Sequence, residues 1–378
     1  MKKPNVVIVL VDGCRSDRLG AYGYTKRPNT KYLDLCAEQG LVAQHHYSTS
    51  NCTLPAVISM LTGMYPALHK AAGTSAYFDG SYPFLTDVLR THGYYTFGIT
   101  NNIAAMSPEW GFVRGYDKYY RIGKQSNWFR ESKEEQRGLK KAPLDIRVKR
   151  AVMDGLRMTA PSVQKALEKR SLLKYYYKHD MGGRRAVEIF GQALNERDKE
   201  RPFFCYINLP DTHPPYFVPD KRFHPSFNLI TSILKPLEFL KKGHELSEKD
   251  LETLSYMYDS CVEYSDSLCQ RIEAFLQSQG ILDNTLLIFT SDHGGMLGER
   301  FNWVGGRYHL FEAEVKTACI LKGPGIKPQN KTQLTSSIDI FPTILEYLNL
   351  PSTHTVNGLS LFSKHQHDLI LIYTPAIR

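Results

Sequence analysis

Short apolar runs of strand type recur along this chain with helical stretches between them, and this alternation constrains the fold more than any other feature. The runs are 5–11, 95–100, 203–209, 286–290 and 317–321, all rich in Val, Ile, Phe and Tyr. Helical patterns cover 30–39, 55–62, 83–91, 180–197 and 247–279. The last opens with a Ser247/Asp250 capping-box pattern and carries Leu251, Leu254, Tyr258, Cys261, Leu268, Ile272 and Phe275 on a helical period. Such an order predicts the α/β class, a mostly parallel central sheet with helices on both faces. No internal repeat or low-complexity tract interrupts it.

Composition narrows the reading. A chain of 378 residues that is 42% hydrophobic can bury a large core, and it reads as one domain over 1–378. With 22% charged residues and a mean hydropathy of −0.34, it is neither a disordered chain nor a membrane bundle. The run ending at Val11 is broken by Asp12, far short of the roughly 20 residues a membrane span needs. No signal-like segment follows it, so a cytoplasmic protein is expected. Cysteines at 14, 36, 52, 205, 261, 269 and 319 form no metal-knuckle spacing, and their odd number points to reduced thiols. The net charge is +9, and 121–201 holds 21 Lys/Arg against 11 Asp/Glu. This span reads as a basic insertion or cap that faces an anionic group or is simply solvated; no nucleic-acid partner is expected.

In open α/β sheets, function collects at the carboxyl ends of strands. The runs here end in Asp12, in Asn101 and Asn102, in Asp211 with His213, and in Asp292 with His293. In TSDHGG, 290–295, an Asp-His pair supplies one oxygen and one nitrogen, a combination suited to Zn²⁺ or Mn²⁺, and Asp12 adds a carboxylate. Gly294 and Gly295 permit close backbone approach. In TLPAVISMLTG, 53–63, a hydroxyl precedes Pro55 and a short helix. Thr53 is either an N-cap or part of an anion site at the helix start, where unpaired N–H groups favour negative charge.

The blocks NVVIVLVDGCRSDRLGAYGY, RPNTKYLDLCAEQG, TLPAVISMLTGMYPALH, THPPY, GILDNTLLIFTSDHGGMLGE and SSIDIFPTILEYLNL with NGLSL together resemble the sulfatase branch of the alkaline phosphatase superfamily over nearly the whole chain. The resemblance implies that family's α/β fold, here with its C-terminal subdomain reduced or missing. Two departures matter. Where sulfatases carry Cys-x-Pro-Ser-Arg, with the Cys becoming formylglycine, this chain has Thr53 at the Cys position, Pro55 at the Pro and Val57 at the Arg. Cys52 lies one residue out of register and reads as a bystander. Gly13 replaces the second Asp of the first strand, and one carboxylate fewer suits a transition metal better than Ca²⁺.

A Thr at the nucleophile position with a downstream Asp-His pair looks like the phosphoethanolamine transferases and lipoteichoic acid synthases of this superfamily. Carried over, that resemblance implies one divalent ion, Zn²⁺ or Mn²⁺ ahead of Mg²⁺ or Ca²⁺, held by Asp12, Thr53, Asp292 and His293. It further implies a phosphothreonine intermediate at Thr53. His213, in THPPY, matches the substrate-binding His and would contact the transferred group or protonate the leaving oxygen. Arg307 takes the place of an anion-binding Lys, with His309 competing for the role. Arg15 is expected to hold the first loop, and His45, His46 and His69 to be structural or surface residues. The expected activity is metal-dependent hydrolysis or transfer on phosphoric esters, with an anionic phosphate or sulfate ester as the partner molecule. The alternatives are a sulfuric-ester hydrolase and an inactive polyanion-binding relative.

Overall fold

Every residue of β1 (Asn5–Val11) is buried, which places that strand in the middle of the sheet, where both faces are covered. The computed structural model describes residues 3–27, 30–71, 78–102, 105–106, 108–122, 180–216, 229, 232–233, 245–306 and 309–374. After β1 come α1 (Lys31–Gln39), β2 (Leu41–Tyr47), α2 (Thr53–Thr62), α3 (Leu85–Thr91), β3 (Tyr95–Thr100), β4 (Lys118–Arg121), α4 (Gly183–Glu196) and β5 (Phe203–Leu209). Then follow α5 (Glu248–Ser278), β6 (Thr285–Thr290), the short pair β7 (Met296–Leu297) and β8 (Val304–Gly305), β9 (Cys319–Lys322), β10 (Gln329–Ser336) and α6 (Ile340–Tyr347). The main sheet has the order β10-β2-β9-β6-β1-β5-β3-β4. Its pairings are parallel except those made by β9.

The pleat of β1 divides the core. Val7, Val9 and Val11 pack on the face covered by α1, α4 and α5, while Val6, Ile8 and Leu10 pack on the face covered by α2, α3 and α6. The capping box at α5 forms as the pattern implies: Ser247 Oγ accepts from Asp250 N–H, and Ser247 N–H donates to Asp250 Oδ2. All seven cysteines are buried and unbridged. Among the described residues no helix is long and apolar enough to cross a membrane. Most of the basic span 121–201, namely 123–179, lies outside the described residues.

Three strands of the main sheet have no counterpart among the sequence runs. β2, β4 and β10 read LVAQHHY, KYYR and QNKTQLTS, and each exposes part of its length, so apolar density does not mark them. β4 and β10 are the sheet edges, where polar residues guard unpaired backbone.

Among the described residues two histidines are fully buried: His46, with Nδ1 3.1 Å from Thr335 Oγ1, and His69, with Nε2 3.0 Å from Ser59 Oγ. Burial pushes His69 down to about 4 and, with His367 adding to it, His46 down to about 3. Both therefore stay neutral when folded but protonate near 6.5 when unfolded, so their contribution is present above that pH and lost as pH falls toward 4. Between pH 7.5 and 5.0 each should cost about 2 kcal/mol. Urea unfolding midpoints at the two pH values check this, and the drop should shrink in His69→Gln.

Candidate active site

Two neighbours of β1 bring the candidate residues together. β6 pairs with β1 in the register Leu10↔Thr290, so Asp12 and the Asp292-His293 pair emerge side by side. β5 pairs on the other side in the register Val11↔Leu209, and its continuation supplies His213. Asp12 N–H donates to Leu209 O at 2.9 Å and Thr212 Oγ1 donates to Asp12 O at 2.7 Å, which ties the first loop to the THPPY loop. On the α2 face, Thr53 is the first residue of its helix, not the cap: Cys52 is the N-cap, in extended conformation and without a side-chain cap bond. The hydroxyl of Thr53 is thus not engaged in closing its own helix.

It points instead at His293, whose Nε2 lies 3.2 Å from Thr53 Oγ1. The same nitrogen is 3.5 Å from Asp292 Oδ2 and 3.8 Å from Asp12 Oδ1. His293 Nδ1 sits 2.7 Å from Gly294 O; a carbonyl only accepts, so Nδ1 carries a proton and Nε2 is the nitrogen turned to the cluster. His213 is arranged alike, with Nδ1 2.9 Å from Pro214 O, and its ring centroid lies 6.1 Å from that of His293. Asp12, His213 and His293 each offer a ligand atom, all within 4.8 Å of one another. The structure therefore adds His213 to the potential metal-binding group.

The donor set fits a divalent cation. Asp12 Oδ1 and Asp292 Oδ2 are buried carboxylate oxygens with no hydrogen-bond partner among the described residues, a costly arrangement that a cation between them relieves. Burial and the neighbouring Asp12 charge push the Asp292 carboxyl up, while His293, Thr53 and the Gly13 N–H pull it back. Carboxylate with imidazole matches Zn²⁺ or Mn²⁺ chemistry.

The surrounding loops explain several sequence choices. Gly13 has φ +77°, a left-handed conformation that favours glycine, and its N–H donates to Asp292 Oδ1 at 3.1 Å. Gly294 packs so closely on Ala313 that a Cβ would come 2.1 Å from its carbonyl oxygen. Arg15 is buried and holds loops together through Asp17, Glu299 and the Gly295 carbonyl. Cys52 is buried. His309 stands among aromatic rings, stacked on Trp303 at 6.1 Å and edge-on to Phe311 at 5.3 Å; its carbonyl, not its ring, meets Asn51 Nδ2. Arg307 lies outside the described residues. Asn208 escapes sequence reasoning because it sits inside the apolar run FFCYINL, yet its Nδ2 lies 3.4 Å from Asp12 Oδ2.

A family model described as Sulfatase matches residues 4–350. The choline-sulfatase of Rhizobium meliloti (strain 1021) is 24% identical over 386 residues, covering 91% of this chain and 67% of that protein. The extracellular sulfatase SULF-1 homolog of Drosophila melanogaster is 24% identical over 95% of this chain, which spans only 31% of that protein's length. In fold, the chain resembles the crystal structure of the phosphonate monoester hydrolase of Agrobacterium radiobacter, with a TM-score of 0.67 and 20% identity over 95% of this chain and 76% of that one. These relatives are sulfatases and a phosphonate monoester hydrolase, not the Thr-nucleophile transferases suggested by the site pattern.

Proposed function

This chain belongs to the sulfatase family, and from that premise we propose that it is a metal-dependent hydrolase of an anionic ester that uses Thr53 as its nucleophile. One observation carries the reading: Thr53 Oγ1 stands at the first turn of α2, 3.2 Å from His293 Nε2, beside two unpartnered carboxylate oxygens. Asp12, Asp292, His293 and Thr53 would hold one divalent ion. Bound there, the ion would lower the pKa of the threonine hydroxyl and neutralise charge on the transferred group.

The chain's own residues supply the rest. Thr53 Oγ1, its proton given up to solvent, forms a bond to phosphorus or sulfur as the bond from that atom to the ester oxygen breaks, at a helix start whose unpaired N–H groups favour negative charge. His213, its Nδ1–H held by Pro214 O, acts in its doubly protonated form and gives its Nε2 proton to the departing alcohol, regaining one from solvent in the next turnover. Water then cleaves the Thr53 ester and restores the hydroxyl.

The names of the relatives lean toward a sulfuric ester, as in choline-sulfatase. The nucleophile leans the other way. Threonine cannot become an aldehyde hydrate, so its ester is released only by water attacking the phosphorus or sulfur, a familiar route for phosphoryl groups. We therefore rank phosphate and phosphonate monoesters first and sulfate monoesters second. A panel of phosphate monoesters, diesters, phosphonates and sulfate esters, run with Zn²⁺ or Mn²⁺ restored after chelation, decides the order. Turnover is expected only with metal present; activity that survives chelation overturns the reading.

A further inference from the structure

Asp12 uses its two oxygens differently. Oδ1 faces His293 and has no hydrogen-bond partner among the described residues. Oδ2 faces away and receives two amide donors, Asn102 Nδ2 at 3.1 Å and Asn208 Nδ2 at 3.4 Å. These come from separate strands: Asn208 is the sixth residue of β5, and Asn102 follows the end of β3.

The orientation of Asn102 is fixed independently of Asp12. Its Oδ1 accepts from Ala105 N–H at 3.1 Å, its own N–H donates to Thr100 Oγ1 at 3.0 Å, and its carbonyl accepts from Met106 N–H at 2.9 Å. An amide whose oxygen is held by an N–H must turn its NH₂ the other way, toward Asp12. We propose that Asn102 and Asn208 are positioning residues that clamp Oδ2 of Asp12 and thereby aim Oδ1 into the metal site. This rests on the metal-dependent reading above and extends it to residues that act through Asp12.

The physical reason is rotational. A carboxylate with one anchored oxygen has lost most of its χ2 freedom before the cation arrives, so binding the cation no longer has to restrict it. Partners of ligating carboxylates typically account for ten- to a hundredfold in metal affinity. Asn102 is the main anchor by distance, and Asn208, fully buried, the supporting one.

The test is calorimetric titration of chelator-stripped protein with Mn²⁺, alongside the melting temperature of the stripped protein. Asn102→Ala is expected to weaken Mn²⁺ binding by about tenfold or more, with Asn208→Leu weaker in effect and the double variant weakest in affinity. The stripped proteins should melt close to the parent. Asn101→Ala, which removes a hydrogen bond to the Met181 carbonyl and none to Asp12, should bind Mn²⁺ like the parent. Parent-like Mn²⁺ affinity in both Asn102→Ala and the double variant overturns the clamp, as does a loss of affinity that merely follows a lower melting temperature. If the parent itself takes up no Mn²⁺ or Zn²⁺, the metal-dependent reading has failed and the clamp with it, an outcome separate from variants that bind as well as a competent parent.

Discussion

Thr53→Ala is expected to lower kcat/KM by a factor on the order of 10⁴ or more while leaving the fold intact. Removing a catalytic nucleophile costs that much because no other group can form the covalent intermediate. The fold should survive for a local reason. Thr53 is not the helix cap, and its hydroxyl meets His293, so Ala removes a site contact and substitutes a better helix former at the first helical position. Cys52→Ala should retain most activity, since Cys52 makes no side-chain cap bond and lies one residue off the nucleophile position. Kinetics on both variants, with intact mass of the Thr53 peptide after a brief exposure to substrate, check the pair. A full loss in Cys52→Ala with an active Thr53→Ala would remove threonine from the mechanism.

The second large effect has two signs. Asp292→Asn should abolish metal-dependent turnover and yet raise the melting temperature of chelator-stripped protein. Two carboxylates lie 3.5 and 3.8 Å from one imidazole nitrogen, each with an unpartnered buried oxygen, and their repulsion opposes folding when no cation is present. Asn keeps an oxygen for the Gly13 N–H but removes the charge, which should relieve about 1–3 kcal/mol. With saturating Zn²⁺ the ranking should invert, because the parent gains binding energy and the variant does not. Melting curves with chelator and with Zn²⁺ give the answer; a stripped Asp292→Asn protein that melts well below the parent would show that the contacts of the Asp292 carboxylate outweigh its repulsion from Asp12.

How much of the fold and the site is legible in the sequence depends on which physical signal each residue sends. The strands β1, β3 and β5 coincide with their apolar runs residue for residue, because all but one of their positions are buried and apolar residues dominate them. β2 is invisible: LVAQHHY mixes buried and exposed positions, and only its pairing with β9 and β10 makes it a strand. At the site, Asp12, Asp292 and His293 stand out as polar residues closing apolar runs. The role of Thr53 does not, since a cap and a first-turn residue differ by one position, finer than any helix-start pattern resolves. Asn208 illustrates the opposite blindness. A polar residue inside an apolar run looks like noise until the neighbouring strand shows what it faces.

The centrality of β1 has a consequence during synthesis. The strand is VVIVLV after its first residue, and the hydrogen bonds at its carboxyl end reach residues 196 and 279 positions later, at Asn208 and Asp292. Until β5 and β6 emerge, this segment is an uncharged hexapeptide, β-branched at every position but Leu10, with no native strand partner on either side, a composition prone to self-association. Chaperone demand should therefore be set by β1, long before Asp12, Thr53 and Asp292 meet. Substitutions that delay β5 or β6 would be felt first as aggregation and lower yield, with the molecules that do fold retaining a normal site.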